Sequence, residues 1–319
     1  MRAKWFAFAI AILLSPSCPA FASSFSQLIV FGDSLSDNGN AYLGTGGVVP
    51  GANYGDYFVP GTVVTTKYFS DGPNTTPVGA GPQGLWIDQL ATRLGVSDPI
   101  PFLLGGTDYA VGGAKTAIGI QSLRNQVGVF TGLHPAGVPS NALYAFWGGA
   151  NDLLFGGDPP TKAADNIERY ISTLSADGAK NFVWLNLPLL GNVPDGQSNK
   201  AALNAASVAF DTEWAADIAA LQGDHIHVVG INIESLFTNL LGDPAKYGFT
   251  NVTTPAQGLP IPTDAGYLFW DGLHPTTAGH TLIADTVLND LTAVPEPASI
   301  ALFIFGLLMV CGARLKLQR

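Results

Sequence analysis

Residues 31 to 40 read FGDSLSDNGN and follow the apolar run Leu28-Ile29-Val30. The chain leaves a candidate strand through glycine and sets Ser34 between Asp33 and Asp37. A turn explains that composition, because Gly, Asp, Asn and Ser all favour turns. A nucleophile explains it as well, since a serine hydroxyl attacks only when a base takes its proton. The G-x-S-x-G nucleophile elbow is absent, because Gly32-Asp33-Ser34-Leu35-Ser36 lacks the second glycine. Other chemistry-bearing spacings are weaker. Gly79 to Gly84 satisfies G-x-G-x-x-G but follows a loop instead of a strand, which argues against dinucleotide binding. His225 and His227 share one face of a candidate strand without a third ligand and read as structural. His280, on a candidate helix, reads as a packing or capping residue.

The elements that would position Ser34 can be read from periodicity. Short, near-continuous apolar runs at Gln27 to Phe31, Ala142 to Trp147, Asn181 to Leu187 and His225 to Val229 predict strands covered on both faces. Helical patterns at Leu85 to Leu94, Thr161 to Leu174, Lys200 to Leu221 and Thr276 to Leu291 alternate with them. Alternation predicts a parallel α/β sheet between helix layers, with its site at the carboxyl ends of strands. Residues 41–84, rich in Gly, Pro, Thr and Asn, break the alternation and read as a functional cover or a flexible insertion. Tyr42, Leu43, Val48, Val49, Tyr57 and Phe58 in that segment could line a ligand pocket or pack as a lid.

Both ends of the 319-residue chain read as processing signals. Residues 1–22 combine Arg2 and Lys4, the apolar WFAFAIAILL and a small-x-small ending at Ala22, the pattern of a secretory signal peptide. Residues 294–319 contain Val-Pro-Glu-Pro, an uncharged stretch from Ala298 to Ala313, then Arg314, Lys316 and Arg319. This end resembles a PEP-CTERM sorting signal of Gram-negative bacteria. The resemblance implies transient membrane contact, an exosortase-type partner and display at the cell surface or in the matrix, whereas a plain membrane anchor would read similarly. Residues 23–293 form one domain. They keep nine of fourteen Lys and Arg and twenty-three of twenty-four Asp and Glu, a net charge of −14, which disfavours nucleic acid. With 47% hydrophobic and 12% charged residues overall, the chain is not disordered. The only cysteines, Cys18 and Cys311, lie in the end segments, leaving the domain without a disulfide or thiolate metal site.

Four separated stretches carry a family resemblance in order. They are GDSL at 32–35, DYAVGGAKT at 108–116, FWGGANDL at 146–153 and WDGLHPTTAGH at 270–280. Together they resemble the GDSL, or SGNH, hydrolase superfamily. YFSDGPNTT, GLWIDQLATRLG, LNLPLLGNVPD and YGFTNVTTP extend the likeness over most of the domain. The resemblance implies a three-layer α/β/α sandwich with a flavodoxin-like sheet, serine-hydrolase chemistry on carboxylic esters, and no metal or organic cofactor.

Carried onto this chain, it implies Ser34 as nucleophile, His274 as base and Asp271 as the carboxylate holding the imidazole tautomer. It likewise implies that Ser34 N–H, Gly113 N–H and the Asn151 amide hold the developing oxyanion. Asp33, Asp37 and Asp152 are expected to brace their loops. Asp108 departs from a common asparagine and Lys115 from a frequent threonine; Lys115 either meets an anionic substrate or projects into water. Three functions follow: an exported esterase or lipase, a carbohydrate O-acetylesterase on surface polysaccharide, or a silent glycan- or matrix-binding protein.

Overall fold

The computed structural model describes residues 25–71, 84–259 and 266–293. The segments read as a signal peptide (1–22) and a carboxy-terminal sorting signal (294–319), and all but the last residue of the Gly79–Gly84 stretch, lie outside the described residues.

Among the described residues six strands are formed: β1 (Leu28–Gly32), β2 (Asp56–Phe58), β3 (Thr65–Lys67), β4 (Leu143–Trp147), β5 (Asn181–Leu185) and β6 (His227–Ile231). The helices are α1 (Asn40–Gly44), α2 (Trp86–Leu94), α3 (Leu123–Leu133), α4 (Ala150–Phe155), α5 (Pro160–Ala176), α6 (Lys200–Gly223), α7 (Ile233–Gly242) and α8 (Thr277–Thr292). The main sheet is parallel throughout, in the order β1-β4-β5-β6. Residues 107–111 run along the free side of β1, with Tyr109 N–H donating to Val30 O and Val111 N–H to Gly32 O. β2 and β3 form a separate antiparallel hairpin within the long early segment.

Leu28 to Phe31 are fully buried because both sheet faces are covered, which explains the unbroken apolar run. Alternate side chains serve two cores. Ile29, Phe31, Tyr144, Phe146, Phe182 and Trp184 face residues of α3, α5 and α6. Leu28, Val30, Leu143, Trp147, Val183 and Leu185 face α2, α7 and α8. This is the expected three-layer sandwich. Each buried large side chain contributes about 1.5–3 kcal/mol. Phe31 also stacks on Phe146 at 4.9 Å and meets Phe130 edge-on at 5.5 Å, locking the strand that carries Ser34.

His225 lies ahead of β6 with φ 63°, so the two histidines do not share a strand face; both are exposed. His225 belongs with Asp224 to the turn before β6, whereas the sequence pattern placed His225 in the strand. Among the described residues, no helix is long and apolar enough to cross a membrane.

Candidate active site

Ser34 emerges where β1 ends. Gly32 is required there because a Cβ would meet Trp147 O of β4 at 2.6 Å. Gln126 of α3 clamps the same residue, accepting from Gly32 N–H at 3.0 Å and donating to Gly32 O at 2.7 Å. On the opposite face Trp86 Nε1 donates to Ser36 Oγ at 3.1 Å, tying α2 to the turn. No motif announced Gln126 or Trp86 as supports.

The two aspartates answer the question their spacing raised. Asp33 accepts from Leu35 N–H at 3.0 Å and from Asn151 Nδ2 at 3.1 Å, so it shapes the turn and joins it to α4. Burial pushes its carboxyl up to about 6 despite the Leu35 N–H, the charge of His274 and the Asn151 amide. Asp37 accepts from Gly39, Asn40 and Ala41 N–H at the start of α1 and from Gly112 N–H at 2.7 Å. Asp152 accepts from Thr116 N–H and Asp158 N–H. All three brace loops, as expected. Asp108 does the same from full burial, accepting from Asn38 N–H and Ala110 N–H.

The imidazole arrives from the far end of the chain. His274 Nε2 lies 2.7 Å from Ser34 Oγ across 240 residues, and His274 Nδ1 lies 2.6 Å from Asp271 Oδ2. With Nδ1–H donating to the carboxylate, Nε2 is free to accept the serine proton; this tautomer follows from the hydrogen-bond partners. Asp271 Oδ1 accepts from Leu273 and His274 N–H at 2.8 and 2.7 Å. Burial alone would raise the Asp271 carboxyl. The hydrogen bond and charge of His274, with the Tyr54 hydroxyl, outweigh it and hold the group well below the usual carboxylate range. Ser70 Oγ donates to Pro275 O at 2.8 Å, and Asp71 accepts from Thr277 N–H at the start of α8, so the early segment braces the histidine loop.

Among the described residues, Ser34 N–H and Gly113 N–H donate to no protein acceptor. Gly113 has φ +75° and open space around its Cα, which suits close approach of a ligand to backbone. Asn151 donates Nδ2 to Asp33 and to Ala114 O at 3.0 Å, holding the Gly113 segment beside Ser34. Both its N–H groups therefore already have partners. Lys115 does not line the cavity: on the solvent-exposed side its Nζ donates to Phe155 O and Gly156 O at the end of α4.

Ser34, Asn151 and His274 open onto a cavity of about 520 Å³, mouth included, walled by Leu35, Trp147, Leu154, Leu190, Val193 and Phe237. None of Tyr42, Leu43, Val48, Val49, Tyr57 or Phe58 lines it. The early segment meets the triad on its Asp271 side through Tyr54 and Phe69, and these six residues face elsewhere; Tyr57 and Phe58 border a separate cavity with Asp88 and Asp98. His280 is fully buried and Nδ1 accepts from Trp86 N–H at 3.4 Å, the expected packing and capping role. Burial, followed by the charge of His274, lowers it to about 3, which keeps it neutral. Among the described residues, one carboxylate set, Asp165, Glu213 and Asp217 on α5 and α6, brings ligand atoms within 4.8 Å of one another. It shares no residue with the Ser34 cavity.

A parallel α/β/α sandwich with a hydroxyl, imidazole and carboxylate in line at its carboxyl edge has the layout of a serine hydrolase. The GDSL-like lipase/acylhydrolase family pattern matches residues 28–287, and the chain belongs to that family of carboxylic ester hydrolases. It is 28% identical, over 94% of its length, to an uncharacterized Pseudomonas putida protein of the trpE-trpG intergenic region, of which it spans 56%. It is 26% identical to a GDSL esterase/lipase of Arabidopsis thaliana, covering 83% of this chain and 87% of that one. Esterase EstA of Pseudomonas aeruginosa is 28% identical, over 89% of this chain and 50% of the relative. A solved lipolytic G-D-S-L protein from Veillonella parvula matches 84% of this chain and 99% of its own, with TM-score 0.44 and 13% identity.

Proposed function

We propose that this chain is an exported serine hydrolase that cleaves carboxylic esters through an acyl-enzyme on Ser34. The observation that carries the reading is the unbroken Ser34–His274–Asp271 chain beside two unused backbone N–H groups. Ser34 Oγ attacks the ester carbonyl while His274 Nε2 takes its proton. Ser34 N–H, Gly113 N–H and Asn151 Nδ2 hold the oxyanion, the amide by sharing an N–H that otherwise points to Asp33. His274 then protonates the departing alcohol, and water activated by the same imidazole releases the acid. Asp271 keeps its charge throughout and stabilises the transient imidazolium.

The apolar cavity favours an acyl chain longer than acetyl, because each buried methylene is worth about 0.8 kcal/mol. An acetylated glycan would leave that lining facing water. Export, signal-peptidase removal of residues 1–22 and exosortase-type processing of residues 294–319 belong to the same proposal, supported by the two end patterns. The test combines a fluorophosphonate probe, chromogenic esters of increasing chain length and acetylated xylan. Labelling of wild type, loss of labelling and hydrolysis in Ser34→Ala, and higher kcat/KM on longer acyl chains are expected. Acetate release from xylan with no turnover of longer esters would shift the substrate to surface polysaccharide. An unlabelled, inactive wild type would leave a silent binding protein.

A further inference from the structure

We propose that Tyr54 is a positioning residue of the triad: its phenol holds the carboxylate that orients His274. The proposal rests on the reading of Ser34, His274 and Asp271 as the catalytic chain. Tyr54 Oη donates to Asp271 Oδ2 at 2.6 Å, the same oxygen that accepts from His274 Nδ1. With Leu273 and His274 N–H on Oδ1, the carboxylate accepts four hydrogen bonds, two on each oxygen. A carboxylate held in this way cannot rotate to another partner when the imidazole charges.

Tyr54 is itself fixed from several sides. Its ring meets Phe69 edge-on at 5.8 Å, and Phe69 lies 5.3 Å from the His274 ring. Lys67 Nζ of β3 donates to Tyr54 O at 2.9 Å and to Asp56 at 2.6 Å, so the hairpin pins the backbone that carries the phenol. Burial, then the hydrogen bond and charge of Asp271, hold the phenol well above its ordinary value, so it stays a donor. The other titratable groups facing this cluster are Asp195 near Tyr54, and Asp33 and His280 near His274. All three keep their places in a phenylalanine variant.

Tyr54→Phe removes the donor and keeps the ring on Phe69. A carboxylate that loses a donor becomes more basic and holds the imidazolium proton more firmly, so the acid limb of the kcat/KM profile moves to higher pH. The expected result is a fall in kcat of about tenfold, KM within about twofold, and that upward shift of the acid limb. Tyr54→Ala, which also unpacks Phe69, should lose more activity and some thermal stability. Tyr54→Phe with wild-type kcat and an unmoved pH profile, beside an inactive Ser34→Ala, would overturn the proposal and leave the triad reading intact. A fall confined to KM or melting temperature would make Tyr54 a packing residue and overturn it equally. If Ser34→Ala stays active, the triad reading fails, and this proposal falls with it.

Discussion

The turn after β1 and the segment from Asn40 to Asp71 both reach the same triad, but they are held by different forces. The turn hangs from a strand with no exposed surface, pressed between two apolar cores and clamped at Gly32 by Gln126. The segment exposes Val48, Phe58 and Val63 and carries a short hairpin, yet delivers Tyr54, Phe69, Ser70 and Asp71 to the histidine side. It is attached by hydrogen bonds, each worth about 0.5–1.5 kcal/mol net, and by Tyr57, Val59 and Tyr68, which are buried in the core that also holds α2 and α8. Burial thus sets Ser34 in place, and hydrogen bonds from the segment help set Asp271 and His274 against it. Damage to the first should disturb folding and rate together. Damage to the second should disturb rate while leaving the cores intact.

The largest effect in this set is expected from Asn151→Ala, which removes the amide proposed to hold the oxyanion and the bridge between Asp33 and Ala114. A loss of about 100- to 1,000-fold in kcat, with smaller change in KM, is the expected outcome of steady-state kinetics on a chromogenic ester. A loss below tenfold would reduce Asn151 to its bonds within the frame.

Gly32→Ala comes next, since the new methyl must displace a backbone carbonyl of β4. Urea unfolding should show a loss of about 1–3 kcal/mol, with reduced activity because Ser34 moves with the strand end. If Tyr54→Phe cost as much stability as Gly32→Ala, the contrast between the two regions would vanish.

The smallest effect concerns pH. Burial raises Asp88, which links Asn38 to the start of α2, from the ordinary 3.8 to about 7. A carboxyl raised in the folded state binds more protons there than in the unfolded chain. Its contribution is therefore complete below pH 3.8 and is lost as pH rises through about 7. Asp271 has the opposite sign, its stabilisation being lost as pH falls. Asp88→Asn should flatten the decline in stability between these limits in urea titrations at several pH values. An unchanged slope would show that Asp88 is already ionised in the folded protein.

Much of the frame was legible in the sequence. The four strands of the main sheet and α2, α5, α6 and α8 fall within about two residues of their periodic patterns, β6 being shifted by about two at both ends. Apolar runs and 3.6-residue periods record burial directly. α3 escaped because Gly128 and Gly132 dilute its pattern, and α4 and α1 are single short turns. α7 had a readable start, since Asn232 accepts from Ser235 N–H as its cap. Of the site, Ser34, Gly113, Asn151, Asp271 and His274 carried recognisable lettering. Tyr54, Gln126 and the walls of the cavity carried none, because each acts through a neighbour distant in the chain.

By itself the sequence determined the layers, the carboxyl-edge location of Ser34 and the local pairing of Asp271 with His274, three residues apart in one loop. Those features depend on periodicity, strand direction and short-range spacing, which are written along the chain. The tertiary structure decided that imidazole meets hydroxyl across 240 residues, that Asn151 leans on Asp33, and that Tyr54 completes the shell of Asp271. Such contacts arise from how separate elements pack. No local pattern of residue types encodes that geometry.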